Sequence, residues 1–449
     1  MKNLELLNKV NVKMEAGDYG ALQRLLKSAY PADIADFIEG LDFNHFALVF
    51  RLLAKDQAAE VFAELEVESR QKLLEAFTDN EVREIIEKLR TDDAVDFLEE
   101  LPASVVPRIL KLATPETRQQ LNQFLQYPEN TAGSVMTPEF MLLKKEWTVS
   151  HALERIRKDG KECETVYTLY VTDANRILQG VVSISDLLFS RDDKRIEALM
   201  DTAYVSVEVH IDQEETIHFF RDYDLLSLPV VDSEGRLVGI ITVDDVLDVS
   251  QEEVEEDFSK MALITPQDRP YLQESVWKHA KSRGVWLLLL MLSGFLNGII
   301  LEQYEHAFVA LPVLVTFIPM LTDTGGNAGS QSSTTVIRSM ALGDLSFKDF
   351  WSVVWKEFRI SLLVGIVMAG VNLLRMFLMH DGNTLVGLTV SISLIVIVSL
   401  SKIIGGALPL LAKKLGLDPA IMAAPLITTI VDAVGLVIYF NVAISLLDF

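Results

Sequence analysis

The sequence predicts a multidomain membrane protein. Four parts are expected: an acidic, superhelical α-helical N-domain over 1–130, a tandem α/β pair over 131–250, a connecting helix over 251–267, and a transmembrane domain of five helices over 268–449. Three observations carry this. Charge is divided along the chain, the C-terminal part has five long apolar runs, and residues 131–250 contain an internal repeat. The 449 residues carry a formal net charge of −24. From Arg269 onward there are 12 basic and 11 acidic residues, which leaves 28 basic and 53 acidic ahead of it. An N-terminal part at −25 joined to a C-terminal part at +1 is not a single soluble domain.

The acidic field repels phosphates, so nucleic acid is excluded as a partner, and it attracts cations. Cys163 is the only cysteine, which excludes an intrachain disulfide and a Cys-rich metal site. The start MKNLELLNKV has no apolar stretch behind a basic opening, so no signal peptide is expected.

Residues 1–130 read as short helices. PADIADFIEGL from Pro31, KDQAAEVFAEL from Lys55, TDNEVREIIEKL from Thr78 and TDDAVDFLEEL from Thr91 share one pattern. Each opens on Pro, Thr or Lys with an Asp in the next two residues, an N-cap arrangement, and then shows apolar residues at helical spacing. Repeats of this kind stack into a superhelix, and a plain helical bundle is the alternative.

Residues 131–250 change to strand-like runs such as VYTLYVTD from Val166 and RLVGIITV from Arg236. VTDANRILQGVVSISDLL (171–188) aligns with VVDSEGRLVGIITVDDVL (230–247), pairing Gly180 with Gly239, Ser183 with Thr242 and Asp186 with Asp245. An α/β unit used twice, with a helix starting at S/T-x-x-D, resembles a tandem pair of cystathionine-β-synthase (CBS) domains. The resemblance implies sensing rather than catalysis. It also implies adenosine nucleotide (ATP) binding at Ser183 and Thr242 through phosphate, and at Asp186 and Asp245 through ribose. Read without the resemblance, the same residues are helix N-caps.

The connector SQEEVEEDFSKMALITPQ places five carboxylates in six positions, Glu252 to Asp257. A solvated charged face is one reading. The other is a regulatory cation site, because packed carboxylates repel unless a cation neutralises them and Mg²⁺ binds oxygen ligands through its waters.

The five apolar runs are Val285–Leu301, Phe308–Ile337, Ile360–Met379, Leu385–Leu411 and Pro419–Leu447, each near the length that crosses a bilayer. Ten basic residues fall on one side of these spans and none on the other. That puts the N-terminal part in the cytoplasm of a cell membrane and the C-terminus outside. Asp432 sits mid-span in APLITTIVDAVGLVIYF, flanked by Thr428, Thr429 and Gly435, and is a functional candidate on that ground. The stretch TDTGGNAGSQSSTT (322–335) is polar at membrane depth and must line a helix interface or a wet cavity, with its glycines read as helix-packing positions. Asp323, Lys402 and Asp432 lie at similar depth. A buried Asp432–Lys402 ion pair is one reading of Asp432; one lysine cannot neutralise two aspartates, however, and an Asp323–Lys402 pair would leave Asp432 for a passing cation.

GGNAGSQSSTTVIRSMALGD and DPAIMAAPLITTIVDAVGLVIYF resemble the signature segments of the MgtE family of Mg²⁺ channels and transporters, and the order of modules agrees along nearly the whole chain. The resemblance implies a homodimer with its pore on the two-fold axis, in which Asp432 meets hydrated Mg²⁺. It implies a "plug" helix at Ser250–Thr265. It also implies cytoplasmic Mg²⁺-sensing residues at Asp92, Asp96, Asp224, Asp245, Asp248, Glu253, Glu256, Asp257 and Asp418. The ATP site of some members is not legible. The expected function is Mg²⁺ uptake, shut off when internal Mg²⁺ bridges these carboxylates. A carrier for Mn²⁺ or Co²⁺, an exchanger driven by Na⁺ or H⁺, and a CBS-regulated membrane sensor are the alternatives. The absence of Cys, His and Met clusters around Asp432 argues against softer metals. A CBS-bearing metalloprotease is excluded, because no H-E-x-x-H occurs.

Overall fold

The computed structural model describes residues 10, 13–14, 16–265, 271–272, 274–379 and 384–447. The first nine residues of the N-terminal segment, most of the loop expected outside the membrane at 380–384, and the tail 448–449 lie outside the described residues. The chain divides into two compact units, Met1–Gln251 and Glu252–Phe449.

Among the described residues the N-terminal unit begins with nine helices: α1 (Tyr19–Leu26), α2 (Pro31–Glu39), α3 (Phe43–Arg51), α4 (Lys55–Ala63), α5 (Val67–Ala76), α6 (Asp79–Ile86), α7 (Thr91–Glu99), α8 (Val106–Leu112) and α9 (Pro115–Phe124). Much of the packing skips one helix, with α2 on α4, α4 on α6, α6 on α8 and α7 on α9, while α2 also packs on α3. This is the superhelical arrangement rather than a bundle. A core of Ile34, Ile38, Val49, Val61, Phe62, Val95, Phe97 and Leu98 runs through the stack. Ion pairs on its outside repeat at the same step, with Arg51 on Glu81 at 2.8 Å and Arg108 on Asp79 at 2.7 Å. The expected N-caps are only partly realised. Thr78 caps α6 in a capping box with Glu81, but Asp33, Asp56 and Asp92 sit in the first helical turn, where the helix dipole favours a carboxylate.

Next come two copies of one α/β unit. The first holds β1 (Phe140–Leu143), α10 (Val149–Asp159), β2 (Thr165–Thr172), β3 (Leu178–Ser183) and α11 (Ile184–Leu188). The second holds β4 (Val207–Glu208), α12 (Gln213–Tyr223), β5 (Ser227–Val231), β6 (Leu237–Thr242) and α13 (Val243–Met261). Each sheet has three strands, parallel then antiparallel. The repeat keeps its register: Val171 pairs with Gly180 and Val230 with Gly239, while Thr168 pairs with Ser183 and Ser227 with Thr242. The matched glycines have a steric cause. A Cβ on Gly180 would come within 2.8 Å of the Asp201 carbonyl, and one on Gly239 within 2.5 Å of Met136 Sδ. Helix α13 runs without a break from the second repeat into the acidic connector.

The C-terminal unit holds α14 (Val276–Gln303), a short α15 (Glu305–Ala310), α16 (Ile318–Ala341), α17 (Phe350–Met379), α18 (Thr384–Lys414) and α19 (Ala424–Leu447). Among the described residues, four helices are long and apolar enough to cross a membrane: α14, α17, α18 and α19. Helix α16 has the length but not the hydropathy, because TDTGGNAGSQSSTT occupies its centre. It packs instead against α18 and α19.

Candidate ion pathway and acidic cluster

Helix α16 is held to its neighbours by backbone contact. A Cβ on Gly325 would lie 2.8 Å from Val431, one on Gly326 2.8 Å from Thr428, one on Gly329 2.6 Å from Ile427, and one on Gly405 of α18 2.2 Å from the Gly329 carbonyl. The glycines are therefore packing positions, as the sequence suggests. They also act as a depth ruler. Gly325 is level with Val431, which puts Asp323 close to the level of Asp432. The two carboxylates act on each other electrostatically, and neither makes a hydrogen bond or ion pair among the described residues. Asp323, Asn327 and Gln331 are all exposed and recur every fourth residue, so one face of α16 is a polar stripe.

Lys402 pairs with neither Asp432 nor Asp323 among the described residues. Lys402 Nζ is buried and donates to the Ala328 carbonyl at 3.4 Å and to Ser332 Oγ at 3.3 Å. Its stem carries the amine toward the later turns of α16, away from the end that bears Asp323. Thr428 and Thr429 flank Asp432 in the sequence. Both hydroxyls donate to the Pro425 carbonyl at 2.9 Å along their own helix.

In the N-terminal unit, Asp92 and Asp93 of α7 meet Asp245 of α13, Glu139 and Glu164. Asp92 Oδ1 is buried with no hydrogen-bond partner. Burial, then Asp93 and Asp245, push the Asp92 pKa well above the usual carboxylate value. Burial and Asp245 raise Asp93 to about 6, with Arg70 and Arg90 opposing the shift. Burial raises Asp245 to about 6, although it accepts bonds from the Thr242 hydroxyl and, at 3.0 Å, the Thr242 amide. Glu164 rises to about 7, chiefly through burial and despite an ion pair to Arg90 at 3.0 Å. Asp248 is raised by burial and Asp244, and adds its charge to that of Glu64. Asp96 is exposed, one turn beyond Asp92. Asp224 is exposed and left-handed at the C-cap of α12. Sequence reasoning missed Asp93, Glu139 and Glu164; only the DD pair at 92–93 signalled any of them.

Within the C-terminal unit, Lys260 of α13 bridges Glu256 at 2.7 Å and Asp418 at 2.6 Å. Asp257 is raised by burial and then by Asp418. Glu253 lies a turn earlier on the same helix, half-buried. Glu256, Asp257 and Asp418, expected as ligands, are thus brought together around an ammonium that sequence reasoning overlooked. Among the described residues no three His, Cys, Asp or Glu side chains converge into a ready-made metal site. The S/T-x-x-D ends bond to themselves: Ser183 Oγ donates to Asp186 at 2.6 Å and caps its amide at 3.0 Å.

The chain is similar to known proteins over nearly its whole length. Family models match the divalent cation transporter MgtE at 318–442, the MgtE intracellular N domain at 29–130, and CBS domains at 132–192 and 196–252. The magnesium transporter MgtE of Thermus thermophilus is 36% identical over 439 residues, 97% of each chain. That of Bacillus subtilis is 29% identical over 443 residues, 98% of this chain and 97% of the other. The crystal structure of the cytosolic domain of the Mg²⁺ channel MgtE in complex with ATP is 36% identical, with a TM-score of 0.52, covering 54% of this chain and 99% of that one. With family models matching its N-terminal, CBS and cation-transporter regions, and 36% identity over 97% of its length to a curated relative, the chain belongs to the MgtE family of divalent cation transporters.

Proposed function

We propose that this protein carries Mg²⁺ into the cell and closes when cytoplasmic Mg²⁺ is ample. The observation that supports it most directly is the pairing of Asp323 with Asp432 at membrane depth while Lys402 is engaged elsewhere. Ionisable groups at that depth are costly unless a mobile cation meets them. Oxygen ligands without Cys or His suit a hard, hydrated ion. The exposed stripe Asp323–Asn327–Gln331 favours a homodimer with two such faces across a two-fold axis. The basic residues flanking the spans favour a cytoplasmic N-terminal unit and an outer C-terminus.

For closure, the reading rests on Asp92, Asp93, Asp245 and Glu164. Burial and mutual repulsion disfavour their charged forms, and a cation that neutralises them would draw α7 and α13 together. Asp248, on the connector Glu253, Glu256 and Asp257, and beside it Asp418, are proposed to act likewise. Asp96 and Asp224 are proposed as outer members, exposed to incoming ions. Several weak bridging sites make closure steep in Mg²⁺. The naming of magnesium transporters among its relatives supports this choice of cation over Mn²⁺ or Co²⁺. ATP binding by the CBS pair is a secondary proposal, supported by the related domain solved with ATP. The exposed Ser183–Asp186 end suits it, whereas carboxylates wall the Thr242–Asp245 end.

The test is Mg²⁺ uptake into liposomes. Asp432→Ala is expected to abolish uptake or its selectivity for Mg²⁺ while the protein elutes and melts normally. Parent-like selective uptake in that variant would remove Asp432 from the pathway.

A further inference from the structure

The membrane domain holds a buried pair of opposite charges outside the proposed pathway. Glu357 of α17 is 8% exposed and Lys402 of α18 is 6% exposed. Ser332 of α16 sits between them. Its hydroxyl donates to Glu357 Oε2 at 2.6 Å and accepts from Lys402 Nζ at 3.3 Å. A hydroxyl has one proton and two lone pairs, so one serine serves both partners. The stem of Glu357 lies against Gly406, where a Cβ would come within 3.0 Å of Glu357 Cγ; α17 and α18 meet closely there. Breaking a buried pair leaves an uncompensated charge, which then seeks another partner.

The available partners are near. Gly325 meets Ser401 and Val431, at the level of Asp323 and Asp432. The Lys402 amine is tied to Ala328 and Ser332, about one to two helical turns farther along α16. A lysine stem is flexible enough to cover much of that distance.

We propose that Glu357 is a positioning residue for cation transport: through Ser332 it holds the Lys402 ammonium away from Asp323 and Asp432, so that the pathway keeps its negative charge. Without Glu357, the ammonium turns toward the two aspartates and takes the place of the incoming ion. Repulsion scales with charge, so a divalent cation is penalised doubly. The inference rests on the pathway proposed above.

The experiment is Mg²⁺ uptake by the full-length protein in liposomes, with KM and maximal rate measured separately. Glu357→Gln should raise KM about tenfold, within the range of directly coupled pairs. The double variant Glu357→Gln/Lys402→Met should return KM to within about threefold of the parent, because no stray cation is left. Ser332→Ala, which cuts the link without changing charge, should shift KM in the same direction. A merely structural role would lower the maximal rate and would not be rescued by removing the lysine. A parent-like KM in Glu357→Gln overturns the proposal, as does a double variant no better than the single. Should Glu357→Gln fail to fold, Ser332→Ala decides, and an unchanged KM there overturns it too. A parent protein that takes up no Mg²⁺ refutes the pathway instead, which keeps the two failures apart.

Discussion

Replacing Asp93 by asparagine should stabilise the N-terminal unit at neutral pH and leave it unchanged in acid. Asp93 is half-buried and faces Asp245; desolvation and then that carboxylate lift its pKa from 3.8 to about 6 against the pull of Arg70 and Arg90. A shift of about two units is worth ~3 kcal/mol at 1.36 kcal/mol per unit. The folded state binds this proton more tightly than the unfolded state does. The contribution to stability is therefore fully present below about pH 4 and is lost as pH rises through about 6. Asparagine carries no charge at any pH and escapes that loss. The expected gain is about 2–3 kcal/mol near pH 7.5, shrinking below pH 6 and gone near pH 4. For a unit of this size that raises Tm by roughly 4–12 °C. The assay is thermal unfolding of residues 1–261 across this pH range, with Mg²⁺ and with NaCl at matched ionic strength. Mg²⁺ should stabilise the parent fragment more than the variant, because it neutralises the carboxylate the variant lacks. A gain that is flat with pH, or equal protection by NaCl, would refute the account of this cluster as a strained cation site.

Further outcomes follow from the connector and the helix contacts. Neutralising Glu253, Glu256 and Asp257 together should leave uptake active at internal Mg²⁺ that shuts the parent; unchanged shut-off, read as flux against internal Mg²⁺, would make the run a solvated face. Lys260→Met removes an ammonium that competes for Glu256 and Asp418, so the midpoint of closure should move several-fold toward lower Mg²⁺ in the same assay, and a move upward would contradict this. Gly405→Ala drives a methyl to 2.2 Å from the Gly329 carbonyl and should cost about 1–3 kcal/mol, seen as a lower Tm in detergent with loss of uptake; a parent-like Tm would mean that α16 and α18 separate freely.

Much of the architecture is legible in the sequence, because it depends on local pattern. Apolar run length marks α14, α17, α18 and α19, though not α16, and a repeat of strand and turn residues marks the paired α/β units down to the matched Val171–Gly180 and Val230–Gly239 register. Helical periodicity marks the stack over 1–130, though not the packing in it that skips one helix. Asp432 is likewise legible alone, since a carboxylate in an apolar run needs no partner to be noticed. Partnership is what the sequence leaves open. Charge and depth point to an Asp323–Lys402 pair, yet Lys402 bonds to Ala328 and Ser332 instead, because helix rotation decides which way its stem runs. The cluster of Asp92, Asp93, Glu139, Glu164 and Asp245 joins positions up to 153 residues apart, and Lys260 meets Asp418 across a similar gap. Residue type and spacing determine which elements form and which charges must be reckoned with. Only the packing of those elements decides which charges meet, because burial and electrostatic repulsion depend on distance in space rather than along the chain.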